Sequence, residues 1–249
     1  MTQGPILLTG GSGRLGTELR RSLPDVVAPP RAAMDITDRS SVEQALDRCH
    51  PGLLIHAAAF TDVAAAERER AVCWRTNVGG TQNIARAVAV RGIFLVHIST
   101  DYVFEGSRGM YREDDPPGPV RSYYALSKLV AEEVVRLAPR YLIIRTSFRP
   151  RQWPYPVAFT DLYTSQDYVD IIAPDIVLAI THLSDIPYET LHIASERKSA
   201  FELARQRRPD VEPRSKSEAS VGLPDDISLD TSRWKDLKRR WTAAVDDRG

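Results

Sequence analysis

The sequence predicts an α/β fold, a doubly wound parallel sheet carrying a small C-terminal lobe. Three observations predict it: short apolar runs alternate with amphipathic stretches through the first half, a glycine-rich turn joins the first run to the first amphipathic stretch, and the texture changes at a proline cluster after Ser147. Ile6–Thr9 reads as the first strand, Arg14–Leu23 as a helix, Val26–Ala28 as the second strand, Ser41–Arg48 as a helix and Leu53–His56 as the third strand. Unbroken apolar runs of this kind suit strands whose two faces are both covered by helices. Ala71–Val90 has helical spacing, and Gly92 is placed to end it before the β-branched run Ile93–Ile98. Tyr123–Leu137 reads as a helix and Tyr141–Arg145 as the next strand, giving βαβ units joined by right-handed crossovers.

After Ser147, Pro150, Pro154 and Pro156 bracket Trp153 and Tyr155, which forbids regular helix or central strand and predicts a loop over the fold. That cluster sets a soft boundary between a sheet domain, residues 1–148, and a small lobe, residues 149–249, interleaved with it. Within the lobe Val169–Ile180 reads as helix, Thr190–Ala194 as strand, Ser199–Arg207 as helix and Pro209–Ser220 as a polar connector. The last residues, through Asp247 and Gly249, are polar and expected to fray.

Composition narrows the function classes. The 249 residues are 43% apolar and 27% charged with zero formal net charge, so no global field recruits nucleic acid or an anionic membrane. Two cysteines, Cys49 and Cys73, and a start that runs from Met1–Gln3 directly into a strand predict a reduced, cytoplasmic protein. No apolar run approaches the roughly 20 residues that span a bilayer. His56, His97 and His192 lie in strand-like runs and read as core or edge residues, and no His/Cys pair has metal-ligand spacing, so no metal is expected.

The turn Thr9-Gly10-Gly11-Ser12-Gly13-Arg14-Leu15-Gly16 sits between the first strand and the first helix, the context of a dinucleotide fingerprint in a Rossmann fold. Glycine lets backbone N–H groups approach a pyrophosphate, and the helix N-terminus, with Arg14 and Leu15 at its start, faces the negative charge. Two registers overlap, Gly11-x-Gly13-x-x-Gly16 and Gly10-x-x-Gly13-x-x-Gly16, and residues further along the chain select the second. An acidic residue about 20 positions after the glycines would bind a ribose 2′-hydroxyl and favour NAD(H), and Asp35 lies near that distance. Arg31 stands closer to the tip of the second strand, where a guanidinium pairs with a 2′-phosphate, so NADP(H) is expected, with NAD(H) the alternative.

Tyr124 and Lys128 are four residues apart on one predicted helix, so both side chains emerge on one face. A phenol titrates near pH 10, and an ammonium about 4 Å away contributes up to about 4 kcal/mol at an effective dielectric near 20. Lys128 is therefore expected to bring Tyr124 towards neutrality, where it serves as a general acid for a carbonyl oxygen. Thr100 or Ser99, just past Ile98, would hold that oxygen.

Gly10 to Gly16, Met34-Asp35-Ile36-Thr37-Asp38, His56-Ala57-Ala58-Ala59-Phe60-Thr61, Asn77, Ser99-Thr100-Asp101-Tyr102-Val103-Phe104, Tyr124 to Lys128 and Arg145-Thr146-Ser147 together resemble the extended short-chain dehydrogenases. Within them the chain looks most like the dTDP-4-dehydrorhamnose reductase family, over roughly residues 4–148. The resemblance implies Thr100, Tyr124 and Lys128 as the catalytic set and NAD(P)H reduction of the 4-keto group of a nucleotide-linked deoxysugar. It also implies Asp35 and Ile36 near the adenine, Ala57, Ala58 and Ala59 along the cofactor, Asn77 supporting the cofactor site, and Thr61, Thr100, Asp101, Tyr102 and Phe148 towards the substrate. Phe148 stands where that family usually has tryptophan, and the substrate helix that follows is shortened here into the loop Arg149–Asp161.

Two rival readings share these residues. A nucleotide-sugar epimerase or dehydratase would use the same tyrosine, although Thr100-Asp101-Tyr102 lacks the Asp-Glu pair that dehydratases often carry beside that threonine. A non-catalytic NADP(H)-binding regulatory subunit would suit a shortened lobe. Trp153, Tyr155 and Phe159 could line a substrate pocket or anchor an irregular loop, and the helices Ala71–Val90 and Ser127–Leu137 could pair two copies in a homodimer or simply pack the core.

Overall fold

The computed structural model describes residues 4–219 and 221–246, so the tail expected to fray at Asp247 and Gly249 lies outside the described residues. The chain begins with strand β1 (Ile6–Thr9), helix α1 (Arg14–Ser22), helix α2 (Arg39–Cys49) and strand β2 (Leu53–His56). Helices α3 (Val63–Arg68), α4 (Arg70–Trp74) and α5 (Gly80–Arg91) follow, then β3 (Phe94–Thr100), α6 (Tyr123–Val135) and β4 (Tyr141–Thr146). Short strands β5 (Phe148–Arg149), β6 (Val157–Phe159), β7 (Tyr163–Thr164) and β8 (Asp167–Tyr168) precede α7 (Val169–Thr181) and β9 (Thr190–His192). The chain closes with β10 (Lys198–Ser199), α8 (Ala200–Arg205), β11 (Glu212–Arg214) and α9 (Ser232–Asp246).

The central sheet has the order β1-β2-β3-β4-β9, parallel throughout, with Leu8 opposite Ile55, Ile55 opposite Val96 and Ile144 opposite Leu191. Side chains alternate across such strands, and both faces are apolar. Leu8, Ile55, Val96 and Ile144 face α1, α7 and α9, meeting Leu19, Ile172, Ile176 and Trp234. Their neighbours Leu7, Leu54, Leu95 and Ile143 face the other way, onto Val42, Leu46, Ile84, Val88 and Val135. No helix among the described residues is long and apolar enough to cross a membrane.

The expected strand Val26–Ala28 shrinks to a single bridge between Leu7 and Val27, held by Leu8 N–H to Val27 O (2.8 Å) and Val27 N–H to Ile6 O (2.9 Å). Pro24 on one side and Pro29-Pro30 on the other supply no N–H to lengthen the ladder. The expected helix Ala71–Val90 is interrupted by a π-helical turn at Arg75–Gly79, and α3, capped by the Asp62 carboxylate on Ala65 N–H, precedes it. The largest addition is α9, a stretch to which the sequence assigns no element. Trp234 and Leu237 are 2% exposed, and Trp234 Nε1 donates to Asp175 Oδ2 on α7 at 2.8 Å.

Residues beyond 149 serve two layers. Helices α7 and α9 and strand β9 complete the main sheet and its cover, while Trp153, Ala158, Tyr168, Leu203 and Val211 form a separate small core under the proline-rich loop.

Candidate active site

A cleft of about 970 Å³ runs over the C-terminal ends of β1 to β4, where ligands bind in open parallel sheets. At its first end lies the glycine turn. Gly10 has φ +74°, and a Cβ there would stand 2.7 Å from the Ala58 backbone nitrogen, so only glycine fits. A Cβ on Gly16 would meet Gly10 O at 2.1 Å, so helix α1 can start this close to β1 only without one. These two positions, with Gly13 N–H donating to Gly10 O (2.9 Å), support the Gly10, Gly13, Gly16 register. The α1 N-terminus has no side-chain cap, so its first N–H groups are left for an anion.

Arg14, Leu15, Arg31, Asp35 and Ile36 line this end of the cleft, and Ala57, Ala58 and Ala59 line it beyond β2. The Asp35 carboxylate is already engaged: Oδ1 accepts from Thr37 N–H (2.9 Å) and Thr37 Oγ1 (2.8 Å), and Oδ2 accepts from Arg31 Nε (3.3 Å). The Thr37 hydrogen bonds, with help from Arg31, hold its pKa below the ordinary value. Arg31 remains mostly exposed, its guanidinium facing solvent at the cleft edge.

Tyr124, Lys128 and Thr100 meet in the middle. The Ser122 hydroxyl caps α6 by accepting from Ala125 N–H (3.1 Å), which puts Tyr124 in the first turn and Lys128 one turn on. Thr100 ends β3; its hydroxyl donates to Asp101 Oδ1 (3.1 Å) and accepts from Tyr102 N–H (3.2 Å). Ser99, the alternative to Thr100, is committed elsewhere, donating to Glu132 Oε1 at 2.6 Å.

The electrostatics correct one expectation. Lys128 Nζ donates to Ile98 O (2.8 Å) and sits 3.2 Å from His97 Nε2, and burial pulls its pKa down to about 8. Burial first, then the nearby Asp101 carboxylate, push the Tyr124 phenol well above its ordinary value, while the Thr100 hydroxyl acts the other way. Lys128 is thus turned to the strand backbone, and burial, not Lys128, governs the Tyr124 phenol.

Two residues expected to touch ligands stand behind the cleft. Asp101 is fully buried; its carboxyl is pushed up to about 6 by that burial, and its Oδ2 has no partner among the described residues. Asn77 is 2% exposed on the π turn. Its Oδ1 accepts from Phe60 N–H (2.7 Å) while Nδ2 donates to Phe60 O (3.1 Å) and Ser127 Oγ (2.9 Å), pinning the Ala57–Thr61 loop to α6. Thr61, Tyr102 and Phe148 do line the cleft. The three strand histidines are buried: His56 hydrogen-bonds Thr9 Oγ1 (2.8 Å) and Thr81 Oγ1 (3.1 Å), and burial lowers its pKa to about 3, keeping it neutral. Burial lowers His97 and His192 likewise.

Sequence reasoning missed the far wall. Ser147, Arg149 and Gln166 line the cleft together with Tyr155, joined by Arg149 Nε to Gln166 Oε1 (2.9 Å) and Gln166 Nε2 to Ser147 Oγ (2.7 Å). The signal was present, since Ser147-Phe148-Arg149 directly follows the C-terminal end of a strand. Of the aromatic trio only Tyr155 reaches the cleft, whereas Trp153 is buried in the small lobe.

Known proteins resemble this chain in sequence and fold. A dTDP-4-dehydrorhamnose reductase of Aggregatibacter actinomycetemcomitans is 32% identical over 200 residues, 77% of this chain and 67% of that protein. One from Mycobacterium tuberculosis is 37% identical over 153 residues, 57% of this chain and 49% of that protein, so the matches span from just under half to two thirds of these relatives. The crystal structure of dTDP-4-dehydrorhamnose reductase from Bacillus anthracis in complex with NADP superposes with a TM-score of 0.82 at 28% identity, covering 95% of this chain and 92% of that one. The family described as the RmlD substrate binding domain matches residues 4–206, four-fifths of the sequence, and the chain belongs to that family.

Proposed function

We propose that the protein is an NADPH-dependent reductase of the 4-keto group of a dTDP-linked deoxysugar, with Tyr124 as proton donor, Thr100 as the group that orients the carbonyl oxygen and Lys128 as the cation that anchors the cofactor. One observation carries the reading: Tyr124, Lys128 and Thr100 line a single cleft that begins at an anion-ready glycine turn. The family membership, the printed names of the relatives and the NADP in the Bacillus anthracis structure support it. Residues 149–249 supply the substrate side of the cleft through Arg149, Tyr155 and Gln166.

The cradle fits the cofactor because Gly10 and Gly16, where a Cβ would meet backbone, let β1 turn tightly into α1 and leave the uncapped α1 N–H groups for a pyrophosphate. Arg31, not the engaged Asp35, would meet a 2′-phosphate. When bound, the reduced nicotinamide supplies the hydride equivalent to the carbonyl carbon. The chain's own residues do the rest. As negative charge develops on the carbonyl oxygen, the Tyr124 hydroxyl would donate its proton there, giving the alcohol and leaving Tyr124 as the phenolate. Lys128 has one N–H remaining after Ile98 O and His97, available to a cofactor hydroxyl.

The test is NADPH consumption, followed as loss of reduced-nicotinamide absorbance, with freshly generated dTDP-4-keto-6-deoxysugars. Wild type should turn over and Tyr124→Phe should lose on the order of 10² to 10⁴ in rate with NADPH affinity retained. NADPH binding with no turnover on any keto sugar would refute the assignment.

A further inference from the structure

Several basic side chains around the small lobe are paired with carboxylates: Arg151 with Glu18 (2.7 Å), Arg197 with Asp226 (2.6 Å), Lys198 with Asp167 (2.8 Å) and Arg207 with Asp170 (2.8 Å). Arg149 is different. It lines the cleft, half-buried, and no carboxylate lies within salt-bridge distance among the described residues. Its Nε is fixed by Gln166, and its guanidinium carbon stands 5.2 Å from the Trp153 ring centre and 5.9 Å from that of Tyr155. Both terminal amino groups lack a protein acceptor among the described residues, so a planar, pre-oriented fork is offered to whatever enters the cleft.

We propose that Arg149 grips the diphosphate of the nucleotide-linked substrate, with the Gln166–Ser147 chain holding the fork in place. The proposal rests on the nucleotide-sugar reading above. Two anions could meet this arginine, the substrate's diphosphate or the pyrophosphate of the dinucleotide, and the sheet order favours the first. The glycine turn follows β1, whereas Arg149 follows β4, three strands away, or about 14 Å at roughly 4.8 Å per strand. Thr100, at the end of β3, lies between them, and Arg149 is near enough to Asp101 and Tyr102 to influence both electrostatically. Guanidinium pairs with phosphate oxygens in bidentate fashion, a geometry that a lysine at the same position cannot reproduce.

The experiment titrates dTDP, inorganic pyrophosphate and thymidine into the NADPH-saturated full chain by calorimetry, for wild type, Arg149→Met and Arg149→Lys. Wild type should bind dTDP and pyrophosphate, and thymidine at least tenfold more weakly than dTDP. Arg149→Met should weaken dTDP at least tenfold and Arg149→Lys by an intermediate factor, with NADPH affinity and melting temperature unchanged in both. Equal dTDP affinity in wild type and Arg149→Met overturns the proposal, as does a wild type that binds neither phosphate probe. A parallel loss of NADPH affinity assigns Arg149 to the cofactor and overturns it too. Should Arg149→Met not fold, Arg149→Lys carries the comparison alone, and unchanged dTDP affinity there counts against the proposal. Because binding is read without turnover, a protein that binds dTDP through Arg149 yet reduces no keto sugar would sink the reductase reading and leave this site standing.

Discussion

Replacing Asp101 by asparagine isolates the cost of a buried charge beside the candidate proton donor. The carboxyl is fully buried, accepts one hydrogen bond from Thr100, and is shifted by burial from an ordinary 3.8 to about 6. The sign follows from which state holds the proton. Between pH 4 and 6 the folded protein keeps this carboxyl protonated while the unfolded chain has lost the proton, so stability from this group is present at low pH and is lost as pH rises through about 6. The whole shift corresponds to about 3 kcal/mol, of which roughly 1 kcal/mol falls between pH 5 and pH 7.5. For a chain of this length that is about 2 °C in melting temperature. The amide carries no charge at either pH, and any fixed effect of its N–H groups cancels in the comparison. Thermal unfolding of both proteins at the two pH values should therefore show Asp101→Asn gaining about 2 °C on wild type at the higher one. A difference that stays constant with pH, or moves the other way, would mean that Asp101 is not a charge confined in the folded core.

Other perturbations follow from the same geometry. Glu132→Gln leaves Arg145 buried without its bidentate partner, both side chains being at most 2% exposed, and should cost about 3–5 kcal/mol, read as a lower denaturation midpoint. Asn77→Ala removes the hydrogen bonds to Phe60 and Ser127 and should cost about 1–3 kcal/mol while raising the dissociation constant for NADPH, because the freed loop carries Ala57–Ala59. A calorimetric titration that finds cofactor affinity unchanged would confine Asn77 to stability. Arg31→Ala should weaken NADPH by about tenfold with NADH unaffected, and equal loss for both would remove the 2′-phosphate from its role.

The sheet was legible because its signals are local and redundant. Leu7-Leu8, Leu54-Ile55, Leu95-Val96 and Ile143-Ile144 are paired apolar residues, as strands covered on both faces require, and Gly10 and Gly16 announce a turn that no other residue could make. The site was legible where residue type and spacing coincide, at Tyr124, Lys128 and Thr100. What failed depended on partners distant in sequence. Helix α9 looks polar until Trp234 and Leu237 meet the core built by α1 and α7, and Asn77 looks like a ligand contact until Phe60 and Ser127 saturate its amide. The Lys128 orientation was illegible for the same reason, since Ile98 O and His97 compete for its ammonium from another strand.

The shared core of α1, α7 and α9 bears on how the chain could be dissected. Leu8 and Leu15, beside the glycine turn, belong to the same apolar cluster as Trp234 and Leu237 near the other end of the sequence. A fragment ending after Phe148 would keep the glycine turn and the Tyr124–Lys128 pair yet leave wet the part of one sheet face that α7 and α9 cover, inviting association through it. During synthesis, too, the part of this face that α9 covers stays open until that helix leaves the ribosome. The half that carries the glycine turn and the Tyr124–Lys128 pair is therefore not a folding unit by itself.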